Sequence, residues 1–156
     1  MERSPGMPVA VSRRRVCMSK TGQPRTLFDK VWSDHLVKAD TPETPAVLYV
    51  DLHLVHEVTT PQAFSLLRSR GLSVRRPDLT LGTLDHSTPT TPVRTIADLS
   101  VAGSGAANQV RRMQENCREF GIELFAFDSP NRGIVHVIGP ELGATQPGKT
   151  IVCGDS

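Results

Sequence analysis

Apolar runs of strand length alternate along this chain with stretches whose apolar residues recur at helical spacing. That order suits a largely parallel sheet covered by helices on both faces, an α/β fold. Residues 46–51, Ala-Val-Leu-Tyr-Val-Asp, read as a strand buried on both faces, with the polar residues 51–57 as its exit. Thr60-Pro61 opens a helix with proline at its first position, Ala63, Phe64 and Leu67 form its apolar face, and Gly71 stops it. Residues 79–84 form the next strand and end on Asp85-His86. Residues 87–105, broken by Pro89, Pro92, Gly103 and Gly105, read as a surface loop. Val110, Met113, Cys117 and Phe120 then mark a helix over 108–120 that ends at Gly121, with Cys117 as a small buried residue. Three short runs, 122–127, 133–138 and 149–153, have strand length and turn residues at their bounds.

The ends of the chain fit this frame less well. Thr26 with Asp29 predicts a capped helix whose apolar face is Phe28, Val31, Trp32 and Leu36. Before it, residues 1–25 hold Arg3, Arg13, Arg14, Arg15, Lys20 and Arg25 against the single acid Glu2. Prolines and glycines break any amphipathic helix there, so this is read as a disordered basic leader, with Met18 as an alternative start. The ordered domain is expected over 26–156.

Charge and cysteine usage exclude several classes. Eighteen basic residues against 16 acidic ones leave a net charge of +2, too balanced to advertise a nucleic-acid or membrane partner. No apolar run approaches the roughly 20 residues of a membrane span. Cys17, Cys117 and Cys153 are odd in number and widely spaced, which fits neither a disulfide framework nor a zinc site and suits a reducing cytoplasm. No phosphate-binding glycine loop is present, so a small-molecule ligand is expected rather than a nucleotide.

Ligands of such sheets bind beyond the carboxyl ends of the strands. The clusters 51–57, Asp85-His86 and Asp155-Ser156 all follow expected strands and are candidates for one shared site. His53 and His56 are three apart, but the segment leaves a strand and lacks a helical zinc motif, so no metal site is assigned and His53 is read as structural. Asp85 next to His86 lets a carboxylate set an imidazole's tautomer. His136, inside the run 133–138, is expected on one face with Ile134 and Ile138, where it needs a fixed partner or a cavity. Cys153-Gly-Asp-Ser156 reads as a tight turn after a strand.

These residues also carry a resemblance. Tyr49-Val-Asp-Leu-His-Leu-Val-His-Glu-Val-Thr-Thr-Pro-Gln-Ala-Phe64 resembles the opening signature of 3-isopropylmalate dehydratase large subunits, within the aconitase family of hydro-lyases. The likeness continues through Thr83-Leu-Asp-His86, Asn116-Cys-Arg-Glu-Phe-Gly121, Gly133-Ile-Val-His-Val-Ile-Gly-Pro-Glu141 and Gln146-Pro-Gly-Lys-Thr-Ile-Val-Cys-Gly-Asp-Ser156. It covers nearly all of the chain from Thr26 onward and nothing before Met18.

The resemblance implies the N-terminal part of an aconitase-like α/β/α domain. The reaction it implies is interconversion of 2-isopropylmalate and 3-isopropylmalate by dehydration and rehydration, in leucine biosynthesis. It implies a four-iron four-sulfur (4Fe-4S) cluster in the full-length enzyme, one iron acting as Lewis acid on the substrate, and a separate small subunit as partner. By the same likeness His86 handles the proton of the departing hydroxyl, Asp85 and His136 order it, and His56, Asp155 and Ser156 contact substrate. The family's cluster cysteines have no counterpart among Cys17, Cys117 and Cys153. The chain alone is therefore expected to bind no cluster and to lack activity. A homoaconitase or another aconitase-like hydro-lyase, or a non-catalytic module or remnant that pairs with the small subunit, are the alternatives.

Overall fold

The computed structural model describes residues 24–102 and 104–155. All but the last two residues of the basic leader, Met18 included, and also Ser156, lie outside the described residues.

Helix α1 (Leu27–His35) begins at a capping box: the Thr26 side chain accepts from the Asp29 N–H at 3.1 Å, and Asp29 accepts the Thr26 N–H at 3.0 Å. Its apolar face is not covered. Leu27 and Phe28 are 75 % and 68 % exposed, and His35 is the only buried residue of the helix. Leu36 begins β1 (Leu36–Lys38), which pairs antiparallel with the two-residue β2 (Val47–Leu48) in an exposed ribbon. The strand expected at 46–51 is thus mostly this ribbon. The strand that enters the main sheet lies further on, as β3 (Leu52–His56).

β3 is central because both its faces are covered. Leu52 and Leu54 point one way, onto Val135, and Val55 points the other, into a cluster with Phe64, Leu84, Val110, Met113 and Cys117. Burying each such side chain contributes roughly 1.5–3 kcal/mol. Helix α2 (Pro61–Ser69) follows, with Pro61 at its first position and Phe64 buried, while Ala63 is exposed. Strand β4 (Thr80–Thr83) pairs parallel with β3.

The expected surface loop after β4 is more ordered than its prolines suggest. Residues Ile96–Ala102 form a 3-10 helix, Leu99 is fully buried, and Val93 joins the same core. Helix α3 (Ser104–Phe120) buries Ala107, Val110, Met113 and Cys117 along one stripe and ends at Gly121, whose φ of +67° needs glycine. An ion pair between Arg68 and Glu119, with the guanidinium also donating to Asn116 Oδ1, latches α2 to α3.

Strand β5 (Glu123–Phe125) adds to β4. The run 133–138, expected as a strand, is instead the start of helix α4 (Val135–Glu141). Its β-branched composition favours a strand. Tertiary contacts prevail: Val135 and Ile138 are buried, and the Asp85 carboxylate accepts the Val135 N–H at 2.9 Å. Strand β6 (Ile151–Cys153) then pairs with the free side of β3.

The four strands are all parallel in the order β5-β4-β3-β6. The chain steps outward from β3 to β5 with α2 and α3 over one face, then returns with α4 over the other face to place β6 beside β3. The point where the winding direction reverses therefore falls between β3 and β6. In open parallel sheets that is where a crevice opens at the carboxyl ends.

Candidate active site

Four segments meet at that crevice. His56 ends β3, Asp85-His86 follow β4, His136 is the second residue of α4, and Asp155 follows β6. His56 is fully buried and its ring is held on both sides. Nδ1 accepts from the Val58 N–H at 3.4 Å, so the proton sits on Nε2, which donates to the Gly154 carbonyl at 3.1 Å and lies 3.2 Å from Thr59 Oγ1. Thr59 Oγ1 also donates to the Gly154 carbonyl. The end of β3 is thereby tied to the turn after β6.

The His86 ring stacks on His56, with centroids 4.0 Å apart and planes inclined by 16°. Its Nε2 lies 3.1 Å from one oxygen of Asp155, and its Nδ1 lies 3.4 Å from an oxygen of Asp85. Whichever nitrogen carries a proton thus has a carboxylate to receive it. The other oxygen of Asp155 lies 3.1 Å from His136 Nε2, so one carboxylate bridges two imidazoles. His86 is partly accessible, with 24 % of its side chain exposed, and His136 and Asp155 are about half exposed, at 54 % and 51 %. A polar molecule can reach this group from solvent while its rear wall, His56, stays fixed.

The expected residues are therefore largely brought together, with two corrections. His136 is not between aliphatic neighbours on a strand; on α4 it projects outward, Ile138 is buried and Ile134 is 58 % exposed. The run 51–57 is not a strand exit. Asp51 stands at the amino end of β3, about 16 Å of strand away from His56, where it joins His35 Nε2 and accepts from the Thr150 N–H at 3.0 Å. His53 faces away from the site, in a shallow pocket walled by Val50, Val74, Leu79 and Val152, and partial burial there holds its pKa below the ordinary imidazole value.

Two groups at the site were not singled out by sequence. Glu57 is fully buried, accepting the Asp85 N–H at 3.1 Å and the Ser87 N–H through its other oxygen. Thr83, also buried, donates to the Gly133 carbonyl at 2.9 Å and pins the approach to α4. Only the position of each, at the end of a strand, hinted at a role.

One ligand atom each of His56, His86 and Asp155 lies within 4.8 Å of the others. The His56 and His86 rings are stacked, however, so their in-plane lone pairs run side by side instead of converging on one ion. An iron-sulfur cluster needs several thiolates in one place. Cys117 packs in the core on the α3 face of the sheet, with its thiol pushed up to about 12 by burial, whereas Cys153 packs on the α4 face. The Cys153 thiol is raised as well, by burial first and then by the Asp155 and Asp85 carboxylates. These two cysteines do not fit cluster ligation, and a cluster requires thiolates other than these.

Fold and site together are a parallel α/β unit that brings three imidazoles and two carboxylates to one end of its sheet. Comparison with known proteins makes the class specific. The chain belongs to the aconitase family: a sequence model of that family (aconitate hydratase) matches residues 29–156. It is 65 % identical over 133 residues to a protein of Roseiflexus castenholzii named 3-isopropylmalate dehydratase large subunit, covering 85 % of this chain and 28 % of that protein. It is 56 % identical over 138 residues to a protein of the same name from Anaeromyxobacter dehalogenans, covering 88 % of this chain and 29 % of that one. The chain thus spans under a third of the length of these curated relatives. Among the described residues no helix is long and apolar enough to cross a membrane.

Proposed function

We propose that this chain supplies the imidazole and carboxylate wall of the active site of a 3-isopropylmalate dehydratase large subunit, which interconverts 2-isopropylmalate and 3-isopropylmalate. The observation that carries the reading is the Asp155 carboxylate bridging His86 and His136 beside the buried His56 at the strand ends. In this reading the substrate hydroxyl leaves as water, its C–O bond breaking as it takes a proton from His86, while a base outside this chain removes the hydrogen of the neighbouring carbon to form the double bond; addition of water to that neighbouring carbon returns both protons. Asp85, near His86 Nδ1, and Asp155, at Nε2, keep the ring oriented in both states. His136 holds the far oxygen of Asp155 and through it helps to order His86. His56 forms the rear wall, and Ser156 is assigned to substrate contact by the family likeness alone. The enzyme would act in leucine biosynthesis in the cytoplasm, paired with a small subunit, with its 4Fe-4S cluster held by thiolates other than Cys117 and Cys153.

A chimera tests this. Residues 26–156 are grafted in place of the matching segment of the Roseiflexus castenholzii large subunit, and turnover is measured with its small subunit. The chimera should be active, and His86→Ala within it should lower kcat by about 10²–10⁴-fold. A folded chimera whose turnover ignores that substitution would overturn the assignment of His86, and a folded chimera with no turnover would overturn the reading altogether.

A further inference from the structure

The fully buried Glu57 carboxylate takes no part in the proposed chemistry, yet it touches the loop that carries it. It directly follows His56, and both of its oxygens accept backbone N–H groups from the segment after β4: Oε2 from Asp85 at 3.1 Å, Oε1 from Ser87. His86 lies between those two anchored residues. Asp85 in turn accepts the Val135 N–H at 2.9 Å, the first residue of the helix that carries His136. We propose that Glu57 is a positioning residue: it fixes His86 against His56 and, through Asp85, sets the start of α4. This rests on the reading of His86 as the proton-handling group.

The chemistry of the contact explains why a carboxylate is needed. Both partners are N–H donors, so the group between them must accept on both sides. A glutamine in the same place offers one oxygen and one NH2, which leaves a backbone N–H facing another donor where water does not reach. The loop must then shift, and His86 with it. An aspartate keeps two acceptors but is one methylene short, so it cannot span both N–H groups. A contact that served only stability would not need to fall on the residues either side of His86.

The test reads the ring and the loop directly in the full chain, by long-range 1H–15N NMR of the histidines and by amide exchange. In the wild type, the His86 ring protons should show the ring-current shift of a ring stacked on His56. In Glu57→Gln that shift should be lost, and exchange of the Asp85 and Ser87 amides should accelerate about tenfold or more, as expected for losing a charge-assisted hydrogen bond. Ile122→Ala, a core change just before the amino end of β5 and so at the far end of the sheet from this loop, is the control: it should lower the unfolding midpoint and leave the His86 signals in place. A wild-type His86 pattern in Glu57→Gln, or equal loss in Ile122→Ala, would overturn the proposal. If Glu57→Gln does not fold, Glu57→Asp decides: loss of the His86 ring-current shift supports the positioning role, and its retention overturns it. Because no turnover is measured, a failure here is distinguishable from a failure of the chimera assay.

Discussion

Substitution of Gly82 measures how closely α3 lies on β4, the strand that delivers Asp85 and His86. Gly82 is buried within β4, and a Cβ there would stand 3.1 Å from Leu124 Cδ1 and from Met113 Cε, and 3.3 Å from Cys117 Sγ. These are side-chain ends, and the Leu and Met ends can withdraw by a few tenths of an ångström. Gly82→Ala therefore sets an overpacking cost of about 1 kcal/mol against a gain of about 0.4–1 kcal/mol from a less flexible unfolded chain, and its net effect should be small. Gly82→Val pushes two further carbons into the same space and should cost about 1–3 kcal/mol even with valine's preference for strands. Met113→Ala alone should cost about 2–5 kcal/mol, because it opens a cavity at a fully buried site. In the double variant the valine fills that cavity, so the combined loss should fall short of the sum by at least about 1 kcal/mol. Urea unfolding followed by circular dichroism, at constant m value, reads the wild type and all four variants. A Gly82→Val midpoint equal to the wild type, or a cycle that is additive within about 0.5 kcal/mol, would show that α3 does not sit on β4 as described.

Three further outcomes follow from particular groups. Burial depresses the His53 pKa, so between the folded value and about 6.5 the unfolded chain binds more protons; stability is full above that window and falls as pH drops through it. His53→Gln should flatten this slope in urea midpoints measured across the window, and an unchanged slope would count against the lowered pKa of a ring in the half-open pocket. Cys117, buried with its thiol near 12, should resist alkylation of the native protein at about pH 8, while the partly accessible Cys153 reacts first; peptide mass mapping distinguishes them, and equal labelling would contradict the placement of Cys117. Thr26→Ala removes the capping box of α1 and should weaken it by about 1 kcal/mol; because the apolar face of α1 is exposed, the loss should appear as faster exchange of α1 amides with little change in the global midpoint.

The parallel α/β class, the helices α2 and α3, and the strands β4, β5 and β6 were legible because their apolar spacing matches the local period. What misled was polarity that tertiary partners satisfy. Val47 and Leu48 look more strand-like than Leu-His-Leu-Val-His, yet they form only an exposed ribbon, whereas β3 carries two histidines through the sheet. His56 is buried because Gly154, Thr59 and Val58 supply its hydrogen bonds, and His53 is tolerated because it faces a half-open pocket. None of those partners adjoins a histidine in a way that hydropathy registers. At 133–138 the β-branched residues suggested a strand, and the acceptor for the helix's first N–H comes from Asp85, 50 residues earlier. The candidate residues nonetheless meet at the strand ends, since a residue just past a strand keeps that position even when the following element is misjudged.

Strand order explains why so few residues suffice. Adjacent strands lie about 4.8 Å apart, so side chains leaving the ends of β4, β3 and β6 meet within one side-chain length. Had β6 joined the sheet on the outer side of β5, three strands from β3, Asp155 would stand about 15 Å from His56 and could not bridge the two histidines. What holds β6 beside β3 is therefore part of the site's construction, although it lies at the opposite end of the sheet. There the Asp51 N–H donates to the Thr150 carbonyl at 3.0 Å, the Thr150 N–H donates back to the Asp51 carboxylate at 3.0 Å, and the buried His35 closes on the same carboxylate. This fixes the register in which Leu52 meets Ile151 and Leu54 meets Cys153. A slip of one residue would turn β6 over and send Cys153 to the opposite face, displacing the turn that carries Asp155. The His35–Asp51–Thr150 network thus acts on the candidate site through register alone, without touching it.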